Sequence, residues 1–281
     1  MNKKIKFRLF IVGCPRSGTT LLQSLLAAHP KIASFPETHF FSSLVPSRPW
    51  FRALGTGIAS RRARARLEQY LDQINAQEMK TLLPKNALFM HRYCQAFVSV
   101  LDKLTLRQGK ICWIEKTPGH LHFIKYIEKL VLDSKFIHII RAGENVVASL
   151  YKVTHEHPEG WGGPRSLDQC INRWISDTKI SRSHLHKPNH TLVRYELLVE
   201  FTEKVLTEIC RFIGVKYDKK MLKDYQVAAN QVVLGDEPWK ASVEKPIGKI
   251  DANKFYGLFD EDQRLYILER LKEVPLDNFI V

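Results

Sequence analysis

Residues Phe10–Leu22 read FIVGCPRSGTTLL, an apolar run, a turn bounded by Gly13 and Gly18, and the start of a helix. A strand feeding a glycine-bounded turn and then a helix aims backbone N–H groups at one point, which makes a ready anion site. Set against the nucleotide-hydrolase pattern G-x-x-x-x-G-K-[ST], Gly13 and Gly18 fit, but Thr19 stands where the lysine belongs. The fixed cation of a kinase or ATPase is therefore missing. Another cation, Arg16, lies inside the loop, so the turn can grip a phosphate-like group with its own guanidinium and the hydroxyls of Ser17, Thr19 and Thr20. No magnesium ligand set is apparent, and no metal is expected.

Working outward, apolar runs at Phe7–Val12, Ile111–Glu115, Lys135–Ile140 and His190–Arg194 predict strands, and the segments between them carry helical periodicity. Helices are expected over Thr20–Ala28, over Ala87–Leu106, from Thr117-Pro118 to Leu132, over Glu144–Tyr151 and over Thr202–Ile213, the last stopped by Gly214. A further helix carries Leu167, Ile171, Trp174, Ile175 and Thr178 on one face. A closing helix starts at Asp260, where Gln263 completes a capping box. Residues 40–66 are rich in Pro, Gly, Ser and Arg, and residues 227–257 read as irregular. The basic run Arg61-Arg62-Ala63-Arg64-Ala65-Arg66 reads as a solvated helix start. Strands alternating with helices imply an α/β fold, a single P-loop-type domain over residues 1–281 with a central, mostly parallel sheet flanked by helices.

The 281 residues carry 44% hydrophobic side chains, enough for a real core, and no apolar run approaches the length of a membrane span. The start, MNKKIKFRLFIVG, reads as the first strand rather than a leader, and the expected location is the cytoplasm. Five scattered cysteines without a C-x-x-C pair fit reduced, buried thiols. His155 and His157, then His184, His186 and His190, have no acidic or cysteine companions at metal spacing along the chain. The formal charge of +14 points to a polyanionic partner. The charge is spread along the chain without an RNA-binding fingerprint or helix-turn-helix spacing, so neither a nucleic acid nor a membrane is the expected partner.

The PRSGTT turn after a strand resembles the 5′-phosphosulfate loop of sulfotransferases that use 3′-phosphoadenosine 5′-phosphosulfate (PAPS). FIHIIRAGENVVASLYK, residues 136–152, is similar to the second half of that family's nucleotide site, a strand ending in Arg141 with Ser149 eight residues on. AAHPKIASFPETHFF, residues 27–41, resembles the corresponding stretch of the tyrosylprotein branch and its soluble bacterial relatives. The resemblance implies PAPS as donor and its nucleotide (PAP) as product. Arg16, Ser17, Gly18, Thr19 and Thr20 would then hold the phosphosulfate, and Arg141 and Ser149 the 3′-phosphate. It implies Glu37 as catalytic base, with His39 as a second candidate or an acceptor contact. Lys116, in Glu115-Lys116-Thr117-Pro118, would steady the departing charge. Tyr195 would lie near the nucleotide, and Lys254, after Lys245-Pro246-Ile247, would fall in a nucleotide-covering segment over about 227–257. Acceptor contacts are expected within 40–110, where the resemblance is thin. The expected acceptor is a small molecule of secondary metabolism, sulfated on oxygen or nitrogen. Protein-tyrosine or carbohydrate sulfation is the alternative, and a nucleotide kinase or NTPase or a basic nucleic-acid binder a more distant one.

Overall fold

The apolar run before the loop forms strand β1 (Phe7–Gly13), and its alternation sets the layers. Then follow α1 (Thr19–Ala27), β2 (Ile32–Ser34), α2 (Phe40–Leu44), α3 (Arg62–Gln73), α4 (Met90–Arg107), β3 (Cys112–Lys116), α5 (Ile124–Leu130) and β4 (Ser134–Ile140). The rest of the chain supplies α6 (Gly143–Glu156), α7 (Leu167–His184), β5 (His190–Arg194), α8 (Tyr195–Glu200), α9 (Thr202–Ile213), α10 (Tyr225–Val232), α11 (Asn253–Leu258) and α12 (Glu261–Leu271). This computed structural model describes residues 4–48, 57–232, 247–248 and 253–276.

The five strands form one parallel sheet in the order β2-β3-β1-β4-β5, with β1 in the middle. A strand buried on both faces sends alternate side chains to opposite layers. Leu9 and Ile11 pack with Leu22, Leu25 and Leu26 of α1 and with Leu206, Ile209 and Ile213 of α9. Phe10 and Val12 face the other way, into a cluster with Trp113, Phe136, Phe40, Phe41 and Phe97. A third cluster joins α6 and α7 to the C-terminal helices. Loops leave the C-terminal ends of the strands together, where ligands bind in open α/β sheets.

The expected strands and most helices stand within a few residues of their predicted bounds. Gly214 caps α9 in the left-handed region at φ 86°, and Asp260 and Gln263 form both bonds of the capping box. Four stretches differ. The three-residue β2 is too short to carry a periodicity. The 40–66 segment includes α2 and the start of α3. The helix after Thr117 begins as a 3-10 turn, Pro118–Phe123. Residues Tyr225–Val232, partly read as irregular, form α10, while Trp239, Lys245 and Pro246 lie outside the described residues. All five cysteines are buried and none forms a disulfide. No helix among the described residues is long and apolar enough to cross a membrane.

Phe10 carries the layer under the loop strand, with its ring centroid 5.5 Å from both Trp113 and Phe136. Phe10→Ala is expected to lower stability by about 3–5 kcal/mol in urea unfolding with an unchanged slope. A loss below about 1 kcal/mol would contradict this packing.

Candidate active site

The loop between β1 and α1 is built by close approach. A Cβ on Gly13 would meet the Ile139 carbonyl oxygen at 2.4 Å, and one on Gly18, at φ 92°, would meet the Tyr195 ring at 2.2 Å. Both glycines therefore let the loop press against neighbours, β4 on one side and the first residue of α8 on the other. Arg16 sits between them at φ 73°, a left-handed conformation costly for a side chain of its size. The first turn of α1 carries no acidic residue, so the positive end of the helix is uncompensated from its own sequence. The Ser17 hydroxyl is buried against it without a hydrogen-bond partner.

Beside the loop lies a cationic patch. Arg16 Nε donates to Ser149 Oγ at 3.1 Å, and Arg141 Nη1 donates to the Arg16 carbonyl at 3.4 Å. The Arg141 guanidinium stacks 4.4 Å above the Tyr195 ring, and its Nε is buried without a partner. Its own carbonyl accepts from Trp174 Nε1 at 3.0 Å, which pins the strand end. Burial lowers the Arg16 pKa, and the neighbouring charge of Arg141 adds to the effect. Arg16, Arg141, Ser149 and Tyr195, spread over nearly 180 positions of sequence, thus converge on one wall of the loop. Lys254 stands in the first turn of α11, which packs on α6, the helix that carries Ser149.

On the other side of the loop stand the acidic and basic residues of the second motif. Lys116 ends β3 with its side chain 1% exposed. Its ammonium donates to Thr20 Oγ1 at 3.4 Å and closely to Glu37 Oε1. The other Glu37 oxygen lies 3.5 Å from His39 Nε2, and the His39 ring is half exposed. A continuous polar line therefore runs from Thr20 at the loop through Lys116 and Glu37 to His39 at the surface.

Three residues that the sequence reading left without a role hold this line in place. Glu115, fully buried, accepts from the Thr38 N–H at 3.2 Å, the Thr38 hydroxyl at 2.7 Å and the Thr117 hydroxyl at 2.5 Å. Its second oxygen pairs with His120 Nδ1 at 2.8 Å, while His120 Nε2 accepts the Phe41 N–H at 3.2 Å. That second bond leaves the His120 proton on Nδ1, where it donates to Glu115. Burial alone would raise the Glu115 pKa; His120 and the hydroxyl donors outweigh it and hold the carboxyl below its ordinary range. Arg66 completes the clamp, with Nε donating to the Thr38 carbonyl at 2.6 Å and Nη2 to the Glu37 carbonyl at 3.4 Å. Of the basic run expected to be a solvated helix start, Arg66 instead turns inward from α3. In sequence the signals are faint: Glu115 stands beside Lys116, and Arg66 is one of four arginines in its run.

A model of the sulfotransferase family matches residues 8–219. The protein-tyrosine sulfotransferase of Drosophila melanogaster is 25% identical over 263 residues, which cover 90% of this chain and 48% of that one. The chain thus spans about half the length of that relative. Among solved structures, the sulfotransferase domain of the Synechococcus PCC 7002 olefin synthase superposes with a TM-score of 0.63 at 22% identity, covering 97% of each chain. The sulfotransferase domain from the curacin biosynthetic pathway gives 0.64 at 19% identity, covering 96% of this chain and 98% of that one. With a family model spanning the sheet, the anion loop and both walls of the site, the chain is a member of the sulfotransferase family of enzymes.

Proposed function

We propose that this chain transfers a sulfuryl group from PAPS to a hydroxyl or nitrogen of a small-molecule acceptor, with Glu37 as general base. The observation that carries the reading is the Thr20–Lys116–Glu37 line, which ties the anion loop to a carboxylate through one buried ammonium. The residues present suit such a nucleotide. The unpartnered Ser17 hydroxyl, the unpartnered Arg141 Nε and the uncompensated start of α1 are all donors in search of acceptors. Two adjacent guanidiniums repel each other until an anion lies between them. In this reading Arg16, Ser17, Gly18, Thr19 and Thr20 hold the 5′ end, and Arg141 and Ser149 hold the 3′-phosphate. Tyr195 supports Arg141, and Lys254 closes over from α11.

PAPS, when bound, supplies a sulfuryl group on a stable leaving phosphate; the rest is the work of the chain. Glu37 takes the acceptor proton at a carboxylate oxygen as the acceptor attacks. Lys116, freed from Glu37 by the competing negative charge at the loop, donates toward the departing oxygen, and Arg16 adds its charge. His39, half exposed beside Glu37, contacts the acceptor. Among the described residues, those of 40–48 and 57–110, beside Glu37 and His39, supply further acceptor contacts; the nucleotide-covering segment expected over about 227–257 lies mostly outside the described residues. As in phosphoryl transfer, positioning and charge carry most of the catalysis. The small-molecule acceptor draws on fold neighbours from olefin and curacin biosynthesis, which is support at the level of fold. Protein-tyrosine sulfation is the second reading, favoured by the names of the sequence relatives.

If Arg141 reads the 3′-phosphate, Arg141→Ala weakens PAP binding by about 2–5 kcal/mol in calorimetry and leaves the weaker adenosine 5′-phosphate nearly unchanged. Equal losses for both ligands would remove that role.

Arg66 acts through the Glu37–Thr38 backbone, so Arg66→Met is expected to cut kcat about tenfold or more while the Kd for PAP stays within twofold. Arg66→Lys, which keeps one donor, should recover part of the rate. An unchanged kcat, or a loss confined to nucleotide affinity, would refute the positioning role.

The base is tested with a hydroxyl acceptor identified from a metabolite pool by a mass gain of one SO₃. Glu37→Gln keeps the shape of the side chain but cannot accept the proton, so single-turnover rate should fall about 10²–10⁴-fold with PAP affinity intact. His39→Ala should cost less, and mainly in acceptor affinity. The reverse pattern would make His39 the base.

A further inference from the structure

At the opposite end of the sheet from the anion loop, three histidines and a glutamate meet in the core. His190 opens β5, and its Nδ1 shares a hydrogen bond of 2.8 Å with Nε2 of His138 on β4. Its Nε2 lies 3.1 Å from Glu128 Oε1, on α5. His184, at the end of α7, stacks on His190 with centroids 5.3 Å apart and planes 13° from parallel. One nitrogen of His184, one of His190 and one oxygen of Glu128 all lie within 4.8 Å of one another. The acidic companion that sequence spacing did not offer is supplied by the fold from 56 positions upstream of His184.

We propose that Glu128, His184 and His190 form a binding site for zinc or a similar first-row divalent cation, with a water completing the coordination. His184 is 8% exposed, and its Nδ1 is buried with no hydrogen-bond partner. A buried polar nitrogen without a partner costs on the order of 1–3 kcal/mol and calls for an explanation, which a metal bond supplies. Two imidazoles and a carboxylate are a donor set that zinc accepts, and three protein ligands leave one position open. Donors around tetrahedral zinc stand about 3.4 Å apart at bond lengths of about 2.1 Å. The Glu128–His190 pair, at 3.1 Å, is already near that spacing, and the other donor pairs, within 4.8 Å, close by at most about 1.4 Å with a turn of the His184 ring that aims its in-plane lone pair at the ion. With Nε2 of His190 on the metal, its Nδ1–H donates to His138, the kind of outer hydrogen bond that fixes a ligating ring.

Glu128 and Lys187, with side chains 23% and 29% exposed, open the site to solvent and give the ion a way in. Lys187 donates to both Glu128 oxygens, at 2.7 and 3.0 Å, and so competes with the metal for the carboxylate. The site lies about 13 Å along β5 from Arg194, four residues at about 3.3 Å each, and takes no part in transfer. It ties α5, the end of α7 and the start of β5 together.

The test is zinc titration of the chelator-treated full chain by calorimetry, with cobalt absorption reporting the geometry. One equivalent should bind with tetrahedral-type cobalt bands, and Tm should rise by about 5 °C or more with zinc at a hundredfold its Kd. His184→Ala and Glu128→Gln should each lose the bands and the Tm rise. Lys187→Gln, at a partly exposed position, should bind zinc at least about fivefold more tightly, because it removes the competitor for Glu128. Absence of binding by the unsubstituted chain would overturn the site. So would bands that persist in both ligand variants, or a Lys187→Gln affinity that is unchanged or weaker.

Discussion

The Lys116 side chain is 1% exposed, and burying an ammonium is costly unless other groups replace the water it has lost. Here those groups are the Glu37 carboxylate and the Thr20 hydroxyl. This requirement organises the site. It draws the stretch after β2 against the end of β3 and fixes the carboxylate at the mouth of the anion loop. It also makes the pairing of Lys116 responsive to whatever negative charge arrives there. An isolated Glu–Lys pair would be a structural feature; one that also touches the first turn of α1 is part of the loop's own electrostatics.

Around that pair, the division of labour follows strand parity. Successive side chains of β3 point to opposite faces, so Lys116 reaches the loop while Glu115 turns into the core and holds Thr38, Thr117 and His120. Glu37 is thereby fixed through its own backbone, by Arg66 on the carbonyls and by Glu115 on the next residue. Arg16 and Arg141 are packed against each other beside the loop, an arrangement that favours a compact polyanion over a diffuse surface contact.

Much of this was legible in sequence because it is local. The strand–turn–helix at Phe10–Leu22, the strands ending in Lys116, Ile140 and Arg194, and the capping box at Asp260 are each written in a dozen contiguous residues. The resemblance of three short motifs to one enzyme family rests on the same locality, and the family match agrees with it. What stayed hidden depends on distance. Arg66 looked like a surface charge because nothing nearby in sequence says that α3 faces the Glu37 backbone 28 and 29 positions earlier. Glu115 reads as an ordinary strand end until Thr38 and His120 are brought to it. The histidines of the second cluster lack an acid in their own stretch and acquire Glu128 only when α5 packs against the ends of α7 and β5. Three residues of β2 are too few for any pattern to declare a strand.

The most direct measurement of the central claim is a crystal structure of the chain with PAP. The 5′-phosphate is predicted on the backbone amides and hydroxyls of Ser17–Thr20, with the 3′-phosphate between Arg141 and Ser149. Lys116 should have swung from Glu37 to the 5′ end, leaving the carboxylate open on the acceptor side. A nucleotide seated away from the loop would contradict the account, and so would one on the loop with Lys116 still paired only to Glu37.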